Sequence, residues 1–187
     1  GNTILDSLGM GVLVDGLSRR IDVADNVIAR GKGVGINLRR SSCLAVHGNL
    51  VSDLRSAALR LTTTGASWIA NNAFVANANA GLELIEQQPG AQLAVLDNWF
   101  AGNGVGLGGG NIGQVVLRDN DLSDQLPRQF GGGFAAHLPG YLTAVEAEPG
   151  DDAYLITDLR ADASTDAVEF TDTLPTASRW PSFCTAE

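Results

Sequence analysis

The sequence contains few of the residues on which catalytic and nucleic-acid-binding sites commonly depend. Its 187 residues include two histidines and two cysteines, and aromatic residues make up 6% of the chain. The 12 lysines and arginines are outnumbered by 21 aspartates and glutamates, which gives a net charge of −9. So acidic a chain is a poor match for nucleic acid or for an anionic membrane surface. No apolar run is long enough to span a membrane.

Helical periodicity is also missing from the sequence. Apolar residues do not recur at i, i+3, i+4 and i+7 over the length of a helix but alternate, as in Ile36 and Leu38. A step of two places such residues on the same face of a strand. The first proline is Pro89, and 23 glycines are available for narrow turns. The pattern predicts an all-β protein of short strands.

A repeat anchored on asparagine organises these strands, with successive anchors 22–26 residues apart. An aliphatic residue stands three positions before nearly every anchor, and an apolar residue stands two positions after each one. A period of this length, built of short alternating strands, indicates a solenoid. The anchors are Asn2, Asn26, Asn49, Asn72, Asn98 and Asn120.

In a solenoid, corresponding residues of successive coils stack about 4.8 Å apart, so each position of the repeat becomes a column. We expect the aliphatic columns to form the core. The asparagine column should form a ladder in which each side-chain amide bonds to the next coil or to backbone groups of a turn. The ladder residues are Asn26, Asn49, Asn72, Asn98 and Asn120, and Asn77 and Asn103 begin a second column.

An Asn-x-hydrophobic turn followed by a Gly-hydrophobic-x-hydrophobic strand, as in Gly35-Ile36-Asn37-Leu38, resembles the repeat of the pectin-lyase-like superfamily. The resemblance implies a right-handed parallel β-helix solenoid of about six coils. We assign it to residues 1–138, and an irregular C-terminal cap to residues 139–187. Within the cap, residues 154–156 and 168–170 are expected to form short strands. Within the solenoid, the glycine-rich segment from Gly104 to Gly110 is expected to form thin turns.

The resemblance alone does not select a function, because the superfamily includes lyases, hydrolases, epimerases, phage tailspikes, adhesins and inert stalks. Val46-His47-Gly48 is only faintly similar to the Gly-His-Gly of pectin-hydrolysing members, whose paired aspartates and arginine-lysine motif are missing here. The Asp-Pro-His-Glu motif of alginate-epimerase members is missing too. We therefore expect a non-catalytic, rigid module that is structural, glycan-contacting or both. The alternative is the C-terminal part of a polysaccharide lyase, glycoside hydrolase or uronate epimerase.

Two outward columns carry large apolar residues on neighbouring coils, one with Val27, Leu50 and Trp99 and the other with Trp68 and Val116. Contiguous apolar patches mark contact surfaces. We expect the C-terminal segment, another part of the parent protein or a second copy to cover at least one of them. The alternative is that Trp68 and Trp99 bind polysaccharide, because aromatic faces pack well on the apolar faces of sugars.

Asp97 and Asp119 directly precede their anchors in adjacent coils, and stacked carboxylates repel each other unless a cation or proton intervenes. The resemblance makes calcium the candidate cation. Turns that face water are the simpler interpretation, because the spacing is not that of a calcium loop. No other cofactor is expected. Arg60 and Glu83 share one position of the repeat and should form a surface ion pair worth about 0–1 kcal/mol.

The sequence opens inside a repeat, since Asn2 occupies the anchor position without the strand that should precede it. We interpret the chain as a piece of a longer protein, with an extracellular, cell-surface or particle-associated location. Cys43 and Cys184 are most simply two reduced thiols. A disulfide that ties the C-terminal segment to the coils is the alternative, which the sequence leaves open.

Overall fold

Stacked short strands form a parallel β-solenoid of about five turns in the structure, a computed structural model. It describes residues 1–111, 114–122, 124–125, 130–132, 153–156, 168–171 and 184. Each full turn contributes one strand to each of three sheets, so the chain visits the same three faces in the same order in every coil. Within the described ranges, no helix has the length and hydropathy needed to cross a membrane.

The sheets contain five, six and seven strands. The five-stranded sheet consists of β1 (Thr3–Leu5), β4 (Val27–Ala29), β7 (Leu50–Ser52), β10 (Ala73–Val75) and β13 (Trp99–Ala101). The six-stranded sheet consists of β2 (Val12–Val14), β5 (Ile36–Arg39), β8 (Leu59–Thr64), β11 (Ala80–Gln87), β14 (Val105–Asn111) and β16 (Phe130–Gly132). The seven-stranded sheet consists of β3 (Arg19–Ala24), β6 (Ser42–His47), β9 (Ser67–Ala70), β12 (Gln92–Leu96), β15 (Gln114–Arg118), β17 (Ala153–Ile156) and β18 (Val168–Thr171).

The predicted inward columns form the core. In the five-stranded sheet, Phe74 pairs in register with Val51 on one side and with Phe100 on the other. The rings of Phe74 and Phe100 have their centroids 5.4 Å apart, and both side chains are fully buried. The largest inward residues of the other two sheets are equally inaccessible: Ile36, Leu38, Leu44, Leu59, Leu61, Ile69 and Leu82.

The asparagine ladder is present, as predicted. The main-chain N–H and the Nδ2 group of Asn72 both donate to Oδ1 of Asn98 in the next coil, at 3.0 and 2.9 Å. Nδ2 of Asn72 also donates to the carbonyl of Val46 in the preceding coil, at 2.9 Å. Asn72 is 2% exposed, so these bonds satisfy a buried amide that would otherwise destabilise the fold.

The second ladder starts at Asn77 and Asn103, as predicted, and ends on a residue that the sequence analysis missed. The main-chain N–H and Nδ2 of Asn103 donate to Oε1 of Gln125 at 3.0 and 2.8 Å. Nε2 of Gln125 returns a bond to the Asn103 carbonyl at 2.7 Å. Gln125 stands five positions after Asn120, so the register of the repeat marks the position although the residue type differs.

Two predicted strands of the C-terminal region are present as β17 and β18. β17 pairs antiparallel with β15, and β18 pairs antiparallel with β17, so they extend the seven-stranded sheet beyond its last parallel strand. The boundary proposed at residue 138 lies outside the described residues, as do Trp180 and Phe183.

The expectation of two reduced thiols was wrong, because Cys43 and Cys184 form a disulfide with their Cα atoms 5.6 Å apart. Cys43 lies in β6, and Cys184 is buried against it and against Ala66. Arg20 Nη2 donates to the carbonyl oxygen of Cys184 at 3.4 Å. Cys184 is therefore fixed beside β6, although β18 lies at the opposite end of the same sheet.

Candidate functional site

The outer surface of the five-stranded sheet carries one of the two apolar columns predicted from the sequence. Each of its strands has three residues, and the middle one points into the core, so the first and third point outward. We call the surface made by these outward residues the five-stranded face. Its members are Thr3, Leu5, Val27, Ala29, Leu50, Ser52, Ala73, Val75, Trp99 and Ala101. Of these, Ala29 and Ala101 are buried, so the exposed apolar surface lies mainly along the column that contains Val27, Leu50 and Trp99.

The column predicted from Val27, Leu50 and Trp99 is confirmed by the strand register and is open to solvent. Val27 pairs with Leu50, and Ala73 lies between Leu50 and Trp99. The exposed fractions are 37% for Val27, 40% for Leu50 and 41% for Trp99. Leu5 on the neighbouring column is 44% exposed. Leu5, Val27 and Leu50 lie on three successive strands, and Ala73 separates Leu50 from Trp99 by one strand, so the exposed apolar residues follow one line across the sheet.

Hydrogen bonds and packing below the face hold its backbone in place. The N–H of Trp99 donates to the carbonyl of the ladder residue Asn72 at 2.8 Å, and the N–H of Leu50 donates to that of Asn26 at 2.9 Å. Phe100, next to Trp99 in sequence, is fully buried in the core. A backbone supported in this way loses little conformational entropy when something binds to the face.

Charged residues border the five-stranded face on both sides, and most of them are aspartates. One rim consists of the exposed residues directly before the anchors, Asp25, Asp97 and Asp119. The other rim lies directly after the strands and contains Asp6, Arg30, Asp53 and Asp124. Asp121 continues the Val27 column itself, since it forms a bridge with Trp99.

Asp6 and Asp119 each form an ion pair with an arginine, and Asp53 also lies near enough to Arg30 to interact with its charge. Nε and Nη2 of Arg30 donate to the Asp6 carboxylate, each at 3.0 Å, and this hydrogen bonding lowers the pKa of Asp6. Nε of Arg118 lies 3.2 Å from Oδ2 of Asp119. Both pairs lie at the margin of the face. The other aspartates of the rims outnumber these two arginines, so the border of the apolar surface stays acidic.

Backbone conformation explains why aspartate occurs before the anchors. Asp25, Asp97 and Asp119 have φ angles of 57°, 52° and 51°, a left-handed conformation that glycine, asparagine and aspartate adopt most readily. Gly48 and Asn71 occupy the same position in the other two coils with the same sign of φ. The geometry therefore agrees with the turn interpretation of Asp97 and Asp119, while a calcium ion at these residues stays a prediction.

Trp68 lies on a different face from Trp99. It belongs to the outward column of the seven-stranded sheet, where it pairs with Ala45 and Ala94. Its ring centroid lies 5.6 Å from that of His47. His47 Nε2 in turn lies 2.9 Å from Asp22 Oδ1. Trp68 is half-buried, and its indole Nε1 is buried without a hydrogen-bond partner among the described residues. The two tryptophans therefore do not form one platform.

A shallow cleft of about 450 Å3 lies on the outside of the six-stranded sheet. Gly108, Gly110 and Gly131 leave its floor without side chains, and Glu83 and Ile85 border it. The expectation of thin turns at Gly104 to Gly110 was wrong over most of its length, because residues 105–111 form β14. Pairing with β11 on one side and β16 on the other holds these glycines extended.

The predicted ion pair borders this cleft. Nε of Arg60 donates to Oε2 of Glu83 at 2.6 Å, across neighbouring coils. Oε1 of Glu83 also accepts from Nδ2 of Asn79 at 3.5 Å, so the carboxylate has partners on two sides.

Comparison with known proteins bears on the fold. A family model described as a right handed beta helix region matches residues 1–122, which is more than half of the chain. No curated protein and no solved structure matches it. The narrower resemblance to the pectin-lyase-like superfamily stays a prediction. The matched residues are those that form the asparagine ladder and the three parallel sheets, and the chain belongs to the right-handed β-helix family.

Proposed function

We propose that the protein is a non-catalytic, rigid β-helix module whose five-stranded face is a contact surface for another macromolecule. The observation that carries this proposal is the exposure of Val27, Leu50 and Trp99 in one column over a close-packed core. At roughly 25 cal/mol per Å2, covering these side chains stabilises a complex by several kcal/mol before the costs of association.

The arrangement of the charged residues supports a role without catalysis. His47 pairs with Asp22 on the seven-stranded sheet, and Arg60 pairs with Glu83 on the six-stranded sheet. Asp97 and Asp119 lie at the left-handed turns before the five-stranded sheet. The His47–Asp22 and Arg60–Glu83 pairs lie on other faces than the stacked Asp97 and Asp119, so neither pair can act together with these carboxylates in general acid–base catalysis.

The disulfide supports an extracellular, cell-surface or particle-associated location. Structural disulfides form and persist mainly in oxidising environments. Cys43 and Cys184 connect two distant parts of the chain, 141 residues apart, which is typical of a structural bridge. We therefore propose that the module works outside the reducing cytosol.

Turnover assays test the absence of catalysis. Purified protein is incubated with polygalacturonate and with alginate, with and without calcium, and the release of unsaturated ends and reducing ends is measured. We expect no turnover with either polymer. Turnover that is abolished by Asp97→Asn or Asp119→Asn would instead establish the enzyme alternative and refute this proposal.

Glycan contact is the second candidate, and the exposed indole of Trp99 is the observation in its favour. Neutral oligosaccharides such as cellohexaose can be titrated while tryptophan fluorescence is recorded. If the face is a sugar platform, Trp99→Ala abolishes the fluorescence change and Trp68→Ala keeps it. Loss of binding in Trp68→Ala alone would place the glycan on the seven-stranded sheet instead.

A further inference from the structure

We propose that the partner of the five-stranded face is an amphipathic polypeptide helix with basic residues on both sides of its apolar surface. This inference rests on the contact role proposed above and specifies the chemistry of the partner. It combines three features of the face: aliphatic side chains along its middle, carboxylates along both rims, and the distance between those rims.

The middle of the face suits protein side chains better than sugars. Trp99 is accompanied by the branched aliphatic residues Leu5, Val27 and Leu50, all of them substantially exposed. Aliphatic surface gains free energy when it is covered by other apolar surface. A sugar platform depends on aromatic rings, and this face has only one among its described residues.

The rims determine the charge of the partner. Asp25, Asp97 and Asp119 line one side, and Asp53 and Asp124 line the other beside the Asp6–Arg30 pair. A basic partner is attracted to both rims, and such complementarity gives specificity and speeds association. A second copy is disfavoured, because an isologous contact through this face would place acidic rims against acidic rims at a net charge of −9 per chain.

The dimensions of the face favour a helix over an extended strand. The two rims are five residues apart in each coil, for example from Asp119 to Asp124, which is at most roughly 15 Å at the rise of a strand. A helix with its side chains is about 10–12 Å wide, so it fits between the rims with lysine or arginine on each flank. The column from Thr3 to Asp121 extends for roughly 24 Å, which matches about 16 helical residues.

A designed peptide tests this chemistry. The probe is a helix of about 18 residues, or five turns, with leucine on one face and lysine on both flanks. Matched peptides carry glutamate in place of lysine, or the same leucines and lysines in scrambled order. We expect the lysine helix to bind at least about tenfold more tightly than either control in isothermal titration calorimetry, with affinity falling as salt rises.

Variants of the protein locate the binding. Leu50→Ser combined with Trp99→Ser removes most of the apolar column, and we expect it to weaken binding about tenfold or more. Leu8→Ser is the matched control, because Leu8 is 77% exposed and lies outside the face.

Asp97→Asn combined with Asp121→Asn should weaken binding several-fold at low salt. Asp22→Asn, on the seven-stranded sheet, is its control and should have less effect. Circular dichroism confirms that each variant is folded.

The outcomes separate the partner chemistry from the contact role. Equal binding of the glutamate helix, or equal losses in the Leu8 and Asp22 controls, overturns the basic-helix inference. A different outcome is that the chain self-associates or binds cellohexaose, and that the combined Leu50→Ser and Trp99→Ser changes abolish this interaction. The contact role then stands and the helix inference fails. If the Leu50 and Trp99 changes alter none of these interactions, the contact role itself is refuted.

Discussion

Asn72 and Asn98 are 26 residues apart in sequence, yet one side-chain oxygen of Asn98 accepts two hydrogen bonds from Asn72. One bond comes from the main chain of Asn72 and the other from its side chain, so the same contact fixes both the turn at Asn72 and the orientation of its side-chain amide. The arrangement recurs with Asn26 and Asn49, whose bonds measure 3.0 and 2.8 Å. The ladder therefore couples the backbone of each coil to the side chain of the next.

Replacement of Asn72 by alanine should destabilise the protein by about 1–3 kcal/mol, because Asn98 and the Val46 carbonyl lose buried partners. Denaturant unfolding monitored by circular dichroism measures the change. Asn79→Ala is the control, since Asn79 is exposed and its side chain donates a long bond of 3.5 Å to Glu83. Equal stability losses in the two variants would contradict the importance assigned to the ladder.

Gln125→Ala should loosen the C-terminal end of the second ladder. The Asn103 N–H and Nδ2 groups lose their common acceptor, while the Asn103 carbonyl loses a donor. We expect faster amide hydrogen exchange at Asn103 and a stability loss of about 1–3 kcal/mol. Exchange at Asn49, in the other ladder, serves as the internal reference and should change less. Unchanged exchange at Asn103 would show that the Gln125 bonds do not protect this turn.

Loss of the disulfide should destabilise the protein by about 2–5 kcal/mol, because the bridge closes a long loop in the unfolded chain. The bridge spans 141 residues, from Cys43 to Cys184. Unfolding of the wild type with and without reductant, compared with Cys43→Ser/Cys184→Ser, measures the effect. The double variant should be insensitive to reductant and should resemble the reduced wild type. A wild type that reacts fully with a thiol reagent before reduction would show that the bridge is not formed.

The ion pair between Asp6 and Arg30 predicts a local pH dependence. Hydrogen bonds from Arg30 lower the pKa of Asp6 in the folded state. The pair therefore stabilises the fold at neutral pH, and this contribution is lost as the pH falls through the lowered pKa. Carboxyl NMR titration should show Asp6 titrating below the ordinary aspartate value of about 3.9. Arg30→Ala should raise that pKa, and Arg55→Ala, a change on the next coil, should leave it in place.

Regular repetition explains which parts of the fold could be predicted from the sequence. The inward columns and the Asn ladder recur in coil after coil, so each of them is supported by several independent residues. Val27, Leu50 and Trp99 could be assigned to one outward column for the same reason. The strands at 153–156 and 168–171 followed from local apolar runs, although their antiparallel pairing could not be foreseen.

Features that depend on a single contact were missed. Gln125 continues a column of asparagines with a longer side chain, and a search for asparagine alone overlooks it. The Cys43–Cys184 bridge depends on where the end of the chain returns, which the repeat does not specify. The strand through Gly108 and Gly110 has low intrinsic β propensity, and pairing on both sides overrides that preference.

The ladder also gives the molecule an adjustable length. Every coil offers donors toward the next coil and an acceptor toward the previous one, so the two ends of a coil are chemically complementary. A whole coil inserted or removed between two anchors would restore the same bonds and change the length by about 4.8 Å. The coil from Asn72 to Asn98 tolerates 26 residues by placing a turn at 88–91, whereas the anchors of the coils before and after it are 23 and 22 apart. The length of such a fold can therefore change in steps of one coil when the gene segment for a coil is duplicated or lost, whatever the details of each loop.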